Sequence, residues 1–221
     1  MAFQVTPVQI PLTGDERAAR NEAYAARISE HLSPDTKIRV LDLGCGNGLT
    51  PSKLNLPAEW HFVGADVNHE AVARAARQFP GRWFVVADAE KLPFADGTFD
   101  RVVVNVALPY MRIPVALAEI RRVLIADGKL WASLHDFRFT LGEIRKAFPR
   151  LIPTLFRFRV FLNGIVFHMT GRSLGESFQT KRGVALALRR ESFSSPRFSH
   201  DEKRWIVEAS SRCPGSSSRA A

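Results

Sequence analysis

The feature that most constrains the fold is a glycine-rich turn after a buried apolar strand. Residues 40–48 read VLDLGCGNG, and Thr50 and Pro51 follow as the expected N-cap and first helical residue. A near-continuous apolar run is typical of a parallel strand buried on both faces. Glycine accepts positive φ and lets a ligand approach the backbone closely. This stretch therefore predicts a strand–turn–helix unit that binds a nucleotide-like ligand.

The glycine spacing distinguishes this turn from two other nucleotide-binding turns. The dinucleotide fingerprint G-x-G-x-x-G/A needs a third small residue where this chain has Leu49. No Lys-Ser/Thr pair follows the glycines, which excludes a phosphate-binding P-loop. What remains is Asp-x-Gly-x-Gly-x-Gly, from Asp42 to Gly48. At these residues the chain resembles the class I S-adenosylmethionine-dependent methyltransferases, whose first motif has this form.

The next two predicted strands, residues 60–66 and 83–88, each end in an acidic residue. Asp66 lies about 20 residues after the turn, a spacing at which an acidic residue reaches a ribose. The resemblance implies that Asp66 bonds the ribose hydroxyls, and that Asp88 and Ala89 contact the adenine. The passage from Leu92-Pro93-Phe94 to Phe99-Asp100 is also similar to the family's approach to its fourth strand.

The resemblance implies a full set of cofactor-binding residues for S-adenosylmethionine, with no metal site. They are Asp42, Gly44, Cys45, Gly46, Gly48, Asp66, Val67, Asp88, Ala89 and Asn105. We interpret Cys45 as a small residue that fills a tight turn rather than as a nucleophile.

Strand–helix alternation and the resemblance together predict an α/β, Rossmann-like, doubly wound seven-stranded sheet. The sheet is expected to be mostly parallel with a reversed last strand, formed by a closing pair over 193–198 and 204–209. We expect a single domain over 1–209, with a helical substrate-lid insertion over 137–182 after strand five. Residues 210–221 are Ser-rich and are expected to be a disordered tail.

The insertion contains a strongly apolar segment, residues 151–169. A helix from Pro153 would have one apolar face and a second, opposed strip, with Asn163-Gly164 as a possible turn instead. The face comprises Leu155, Phe158, Leu162, Ile165, Val166 and Met169, and the strip comprises Phe156, Val160 and Phe167. The segment is expected to line a pocket, to form a buried helix pair or to make peripheral contact with a membrane surface.

Three residues are candidates for the acceptor side of the reaction. His135 follows the fifth strand and has an unperturbed pKa near neutrality, so it is the first candidate base, with Asp136 orienting it or acting itself. Tyr110, in the loop after the fourth strand, is a candidate for shaping the acceptor pocket. The alternative for His135 and Asp136 is that they cap the next segment, and the alternative for Tyr110 is packing within its loop. The resemblance supplies no catalytic residue, because these groups vary with the acceptor.

Composition limits the function classes without selecting one. The formal charge of +9 permits an acidic partner, whereas two cysteines suggest no disulfide or zinc framework. No secretory signal or bilayer-spanning stretch is recognised, so a cytoplasmic protein is expected. The oligomeric state stays open.

The expected function is methyl transfer to a small, apolar metabolite by in-line displacement. One alternative is an RNA or protein methyltransferase using the basic surface, although Val106-Ala107-Leu108 follows Asn105 where base-methylating enzymes have an Asn-Pro-Pro-Tyr type motif. The other alternative is a non-catalytic S-adenosylmethionine-binding protein.

Overall fold

A computed structural model describes residues 38–55, 58–135, 151–172, 179–201 and 204–211. Within these ranges one seven-stranded sheet has the order β3-β2-β1-β4-β5-β7-β6. Its strands are β1 (Arg39–Leu43), β2 (His61–Asp66), β3 (Trp83–Val86), β4 (Phe99–Asn105), β5 (Leu124–His135), β6 (Arg197–Asp201) and β7 (Arg204–Ser210). The predicted fold class is confirmed.

Strands β1 to β5 are parallel, and β7 pairs antiparallel with both β5 and β6. The strand order reverses between β1 and β4, which lie side by side in the middle of the sheet. In open α/β sheets, ligands bind beyond the carboxyl ends of the strands at such a switch point. The glycine turn follows β1 and therefore lies at this edge.

Five helices accompany the sheet in the described ranges. They are α1 (Thr50–Lys53), α2 (His69–Gln78), α3 (Ile113–Val123), α4 (Leu151–Thr170) and α5 (Lys181–Arg190), and a 3₁₀ turn spans Leu108–Tyr110. The larger core cluster joins α3 and α5 to one face of the central strands. Two smaller clusters cover the other face, one of them with Val72 and Ala75 of α2.

The start of α1 differs from the prediction. Leu49 is the N-cap and has no side-chain capping bond, and Thr50 is the first helical residue. The Thr50 side chain is buried and hydrogen-bonds to Asp42 instead. Asn68, by contrast, caps α2, with its side-chain oxygen accepting a 3.1 Å hydrogen bond from the Ala71 N–H.

Helix α4 forms most of the described part of the insertion and continues through Asn163-Gly164, so the alternative of a turn there is wrong. Val160 and Phe167 are buried, whereas Phe158, Leu162, Ile165, Val166 and Met169 are exposed. The two opposed apolar surfaces were predicted, and one of them packs. A Cβ at Gly183 of α5 would lie 2.7 Å from Cδ1 of Phe167, so α4 and α5 approach closely here.

The carboxyl-terminal boundary extends beyond the predicted residue 209. Ser210 ends β7, and Ser211 is fully buried and bridges to Phe193. The Ser211 hydroxyl donates to the carbonyl of Ile125 at 2.6 Å. Ser210 is therefore part of the sheet, and Ser211 is fixed directly after it. Residues 1–37 and 212–221 lie outside the described ranges, so the single-domain assignment and the disordered tail stay predictions.

Candidate cofactor and acceptor site

The three glycines of the turn all have positive φ, of 74°, 53° and 74° for Gly44, Gly46 and Gly48. Two of them are also closely packed: a Cβ at Gly44 would overlap the Ala107 Cβ, and one at Gly48 would lie 2.8 Å from the Phe84 ring. A Cβ at Gly46 would meet no atom within 4 Å. The turn is therefore packed at both ends and open at its centre.

The carboxylate of Asp66, the last residue of β2, contacts the centre of the turn. Its Oδ2 accepts a 2.8 Å hydrogen bond from the Gly46 N–H, and its Oδ1 accepts one of 2.8 Å from the Asn68 N–H. Gly44 and Cys45 donate their N–H groups to the carbonyl of Ala65, at 2.8 and 3.1 Å. The end of β2 thus fixes the turn. A half-buried carboxylate beside an open glycine backbone fits a ligand with hydroxyl groups.

Asp42 lies behind the turn and is almost fully buried. Its Oδ1 and the Nη1 of Arg82 are buried atoms with no hydrogen-bond partner in the described part of the chain, and both residues line a cavity of about 10 Å³. Burial raises the pKa of Asp42 to about 7, against the lowering effects of the Thr50 hydrogen bond and the Arg82 charge. The negative charge of Asp66 contributes to this rise.

Cys45 is buried within the turn. Burial, followed by the negative charges of Asp42 and Asp66, raises the pKa of its thiol far above its usual range. A thiol in this environment stays protonated and is a poor nucleophile. A Cβ at Gly64 would lie 2.9 Å from the Cys45 Sγ, so the sulfur fills space against β2.

The loop after β3 places Asp88 on the surface and buries Ala89. The Asp88 Oδ1 accepts a 2.9 Å hydrogen bond from the Glu90 N–H. The Glu90 carboxylate in turn pairs with Arg112, whose Nε donates to its Oε2 at 2.6 Å. This pair ties the loop after β3 to the start of α3, beyond the loop after β4.

Asn105 ends β4, and its side-chain oxygen is engaged by neighbouring strands. Its Oδ1 accepts hydrogen bonds from the Ser133 hydroxyl at 2.7 Å and from Arg204 Nη1 at 3.2 Å. Val106 follows with φ of 62°, which is unusual for a β-branched residue and stores backbone strain. This strained residue precedes Ala107, which contacts Gly44 at the site.

Of the acceptor-side candidates, the structure describes Tyr110 and the backbone of His135, and both lie at the same edge of the sheet. Tyr110 ends the 3₁₀ turn after β4, and its side chain is 67% exposed. Val67, the cofactor-binding candidate next to Asp66, is 72% exposed. His135 is the last residue of β5 and pairs through its backbone with Arg204. Its side chain and all of Asp136 lie outside the described part, so their predicted roles stay predictions.

Sequence reasoning missed Thr50 as a partner of Asp42, the Glu90–Arg112 pair, and Arg204 at Asn105. Thr50 is next to the glycine turn but was assigned to helix capping. The other partners are 22 and 99 residues apart in the chain, and no motif joins them.

This strand order, with a glycine turn after β1 and an acidic residue ending β2, defines the class I S-adenosylmethionine-dependent methyltransferases. In this chain, residues 41–132 match the methyltransferase domain family. This family and fold imply S-adenosylmethionine as the cofactor.

Similar proteins support this assignment. A malonyl-[acyl-carrier protein] O-methyltransferase of Erwinia pyrifoliae is 33% identical over 62% of this chain and 52% of its own length. A fatty-acid O-methyltransferase of Mycolicibacterium smegmatis is 33% identical over 64% of this chain and 53% of its own. The chain thus spans about half the length of these relatives.

The structure of the PH0226 protein from Pyrococcus horikoshii matches the fold with a TM-score of 0.61. It is 21% identical, and the match covers 94% of this chain and 97% of that one.

Proposed function

We propose that this protein transfers a methyl group from S-adenosylmethionine to a small, apolar acceptor. The observation that carries the proposal is the glycine turn, open over Gly46 and held by the Asp66 carboxylate at the sheet edge where such folds bind ligands. The match of residues 41–132 to the methyltransferase domain family gives this geometry its chemistry.

The residues at this edge fit the cofactor. The absence of a side chain at Gly46 leaves room for close approach to the backbone, Asp66 would accept hydrogen bonds from ribose hydroxyls, and the buried Ala89 would contact the adenine beside Asp88. When bound, S-adenosylmethionine supplies a methyl group on a positively charged sulfur that is already a good leaving group.

The protein's main contribution is therefore to position the acceptor for in-line attack and to exclude water. Tyr110 is proposed to form part of the acceptor pocket, because it is exposed at the same edge. His135 and Asp136 are proposed to receive a proton only when the acceptor must lose one.

The acceptor class that we favour is a carboxylate on an apolar chain. The two relatives described above are named for methylation of malonyl-[acyl-carrier protein] and of fatty acids. A carboxylate is ionised near neutral pH and attacks without a general base. On such an acceptor, His135→Gln would leave the rate nearly unchanged, whereas on an alcohol the same change would lower it.

The test is calorimetric titration with S-adenosylhomocysteine on the wild type, Asp66→Asn, Asp66→Ala and the matched control Glu70→Ala. Glu70 is an exposed carboxylate close to Asp66 in the chain. We expect binding to weaken roughly 10- to 100-fold in Asp66→Ala, because hydrogen bonds to a charged acceptor are lost. Asp66→Asn should lie between Asp66→Ala and the wild type, and Glu70→Ala should bind normally.

Transfer of labelled methyl groups to fatty acids and alkyl alcohols then tests the reaction. Product from a fatty acid would support the favoured acceptor class. Cofactor binding without product from any acceptor would favour the non-catalytic alternative. No binding by the wild type would contradict the proposed site.

A further inference from the structure

Helix α4 has an apolar face that lies exposed in the described part of the chain. Phe158, Leu162, Ile165, Val166 and Met169 are exposed and follow the spacing of a single helix face. Met169 is 66% exposed and Leu162 is 48% exposed. We name these five residues the α4 apolar face. Val160, Gly164 and Phe167 lie on the opposite side and are buried, so within the described residues α4 is apolar on two sides and packed on one.

An exposed apolar surface of this size on one helix indicates an interaction site. The described parts of the chain also leave it convex, since five neighbouring side chains project from a single cylinder. A convex row of large apolar side chains lacks the concave shape that encloses a small ligand. The shape instead suits a surface that deforms around it.

The charged side chains of helices α4 and α5 are all basic. Residues 151–172 and 179–190 contain no Asp or Glu, and six of their Lys and Arg side chains are exposed. These six are Arg159, Arg172, Lys181, Arg182, Arg189 and Arg190. Arg159 is one position along the helix from Phe158, and Arg172 lies just beyond the last turn.

Lys181 and Arg182 are also close to the end of the α4 apolar face. They begin α5 directly after Thr180, whose hydroxyl is 2.9 Å from Nδ1 of His168 in the last turn of α4. Basic side chains therefore border the carboxyl-terminal half of the face. Apolar side chains with basic neighbours are the pattern of helices that lie in the interface of an anionic bilayer.

We propose that the α4 apolar face docks this protein on the surface of an anionic lipid membrane, with the basic side chains of α4 and α5 contacting the lipid headgroups. The helix lies in the interface and does not cross it: within the described ranges, no helix is long and apolar enough to span a bilayer. This proposal rests on the α4 surface alone and is independent of the methyl-transfer proposal.

The test is co-sedimentation of the full chain with vesicles of phosphatidylglycerol and phosphatidylcholine, compared with phosphatidylcholine alone. We expect binding to the anionic vesicles, and weaker binding in high salt because the charges are screened. The double variant Leu162→Glu/Met169→Glu should weaken binding at least about tenfold, since it places charge on the buried side of the contact. The variant Arg172→Glu/Lys181→Glu should also weaken it at least about tenfold.

Val115→Glu is the matched control, because Val115 is an exposed apolar residue on α3. It should bind vesicles as the wild type does. Circular dichroism and S-adenosylhomocysteine binding report whether each variant is folded.

Three results would overturn the proposal. The first is the absence of binding to anionic vesicles, or binding that the Leu162→Glu/Met169→Glu variant does not weaken. The second is self-association in sedimentation velocity that this variant abolishes, without vesicle binding, because a second copy would then cover the face. The third is binding to single-stranded RNA that depends on Arg172 and Lys181 but not on Leu162, in place of vesicle binding.

Discussion

At the scale of single residues, Asp42 shows how a site residue is shaped by burial. Its carboxyl is enclosed beneath the glycine turn, with the Thr50 hydroxyl as a partner and Arg82 across a small cavity. A buried carboxylate with one oxygen unsatisfied is costly when charged. The native state therefore favours its protonated form up to a pH near 7.

This shift predicts a pH-dependent effect of Asp42→Asn on stability. The pKa rises from 3.8 in the unfolded chain to about 7 in the fold, so between these values the unfolded state ionises and the native state does not. The wild type therefore loses stability relative to the variant as pH rises from 4 to 7, by roughly 4 kcal/mol at most. Urea unfolding of both proteins across this range measures the difference, and a difference that does not change with pH would contradict the assignment.

The sequence predicted the glycine turn and Asp66 because their chemistry is local or has a fixed spacing. Positive φ at three alternate positions follows from residue type, and the end of the second strand follows from apolar patterning. The predicted role of Thr50 as an N-cap was wrong, because the same hydroxyl can either cap a helix or bond to a buried carboxylate. Only the packing of α1 against β1 selects between these partners.

At the scale of elements, Arg122 of α3 holds the passage between β3 and β4. It donates to the carbonyls of Phe94 and Leu92, at 2.6 and 2.9 Å, and it pairs with Glu119 at 2.8 Å. Glu119 Oε2 accepts a 2.7 Å hydrogen bond from the Leu92 N–H. The Arg122–Glu119 ion pair therefore supplies hydrogen-bond partners for backbone groups that lie outside any strand or helix.

Arg122→Met is expected to destabilise the protein by about 2–3 kcal/mol, because it leaves two carbonyls and the Glu119 carboxylate without this partner. Arg197→Met is the matched control, since Arg197 pairs with Glu208 at 3.7 Å with both side chains well exposed. The control should change stability by less than about 0.5 kcal/mol. Chemical denaturation measures both, and equal losses would show that the network contributes no more than a surface pair.

Element order was predictable, whereas the contacts between elements were not. Strand–helix alternation and turn residues indicate which segments form strands, and the resemblance supplied the sheet order. The Glu90–Arg112 pair and the Arg122 network depend on side-chain positions across 20 to 30 residues. β5 begins at Leu124, immediately after the last residue of α3.

At the scale of the whole molecule, β5 joins the two parts of the sheet. It pairs with β4 on one side and with β7 on the other, over seven residue pairs from Lys129 to His135. The cofactor edge and the closing hairpin therefore share one strand and one core cluster. We expect them to unfold together.

Thermal unfolding should therefore show a single transition, and the whole transition should move to higher temperature when S-adenosylhomocysteine is added. S-adenosylhomocysteine at about 100 times its dissociation constant adds about 2.7 kcal/mol. For a chain of this size each kcal/mol raises Tm by about 2–4 °C, so we expect a shift of about 5–11 °C. Differential scanning calorimetry measures the shift, and Asp66→Ala should show little of it at the same concentration. Two transitions, of which only one moves, would contradict a shared unfolding unit.

The position of β7 between β5 and β6 has a consequence for how such a chain changes during evolution. The polypeptide leaves the sheet after His135 and returns at Arg197, and β7 then comes back to pair with β5. All the proposed cofactor contacts come from residues 42–105, before this departure. The entropic cost of closing a loop rises slowly with its length, by about 0.6 kcal/mol for each doubling. The segment between β5 and β6 can therefore change in length at little entropic cost, and new acceptors can be gained, as long as α5 keeps its packing in the core.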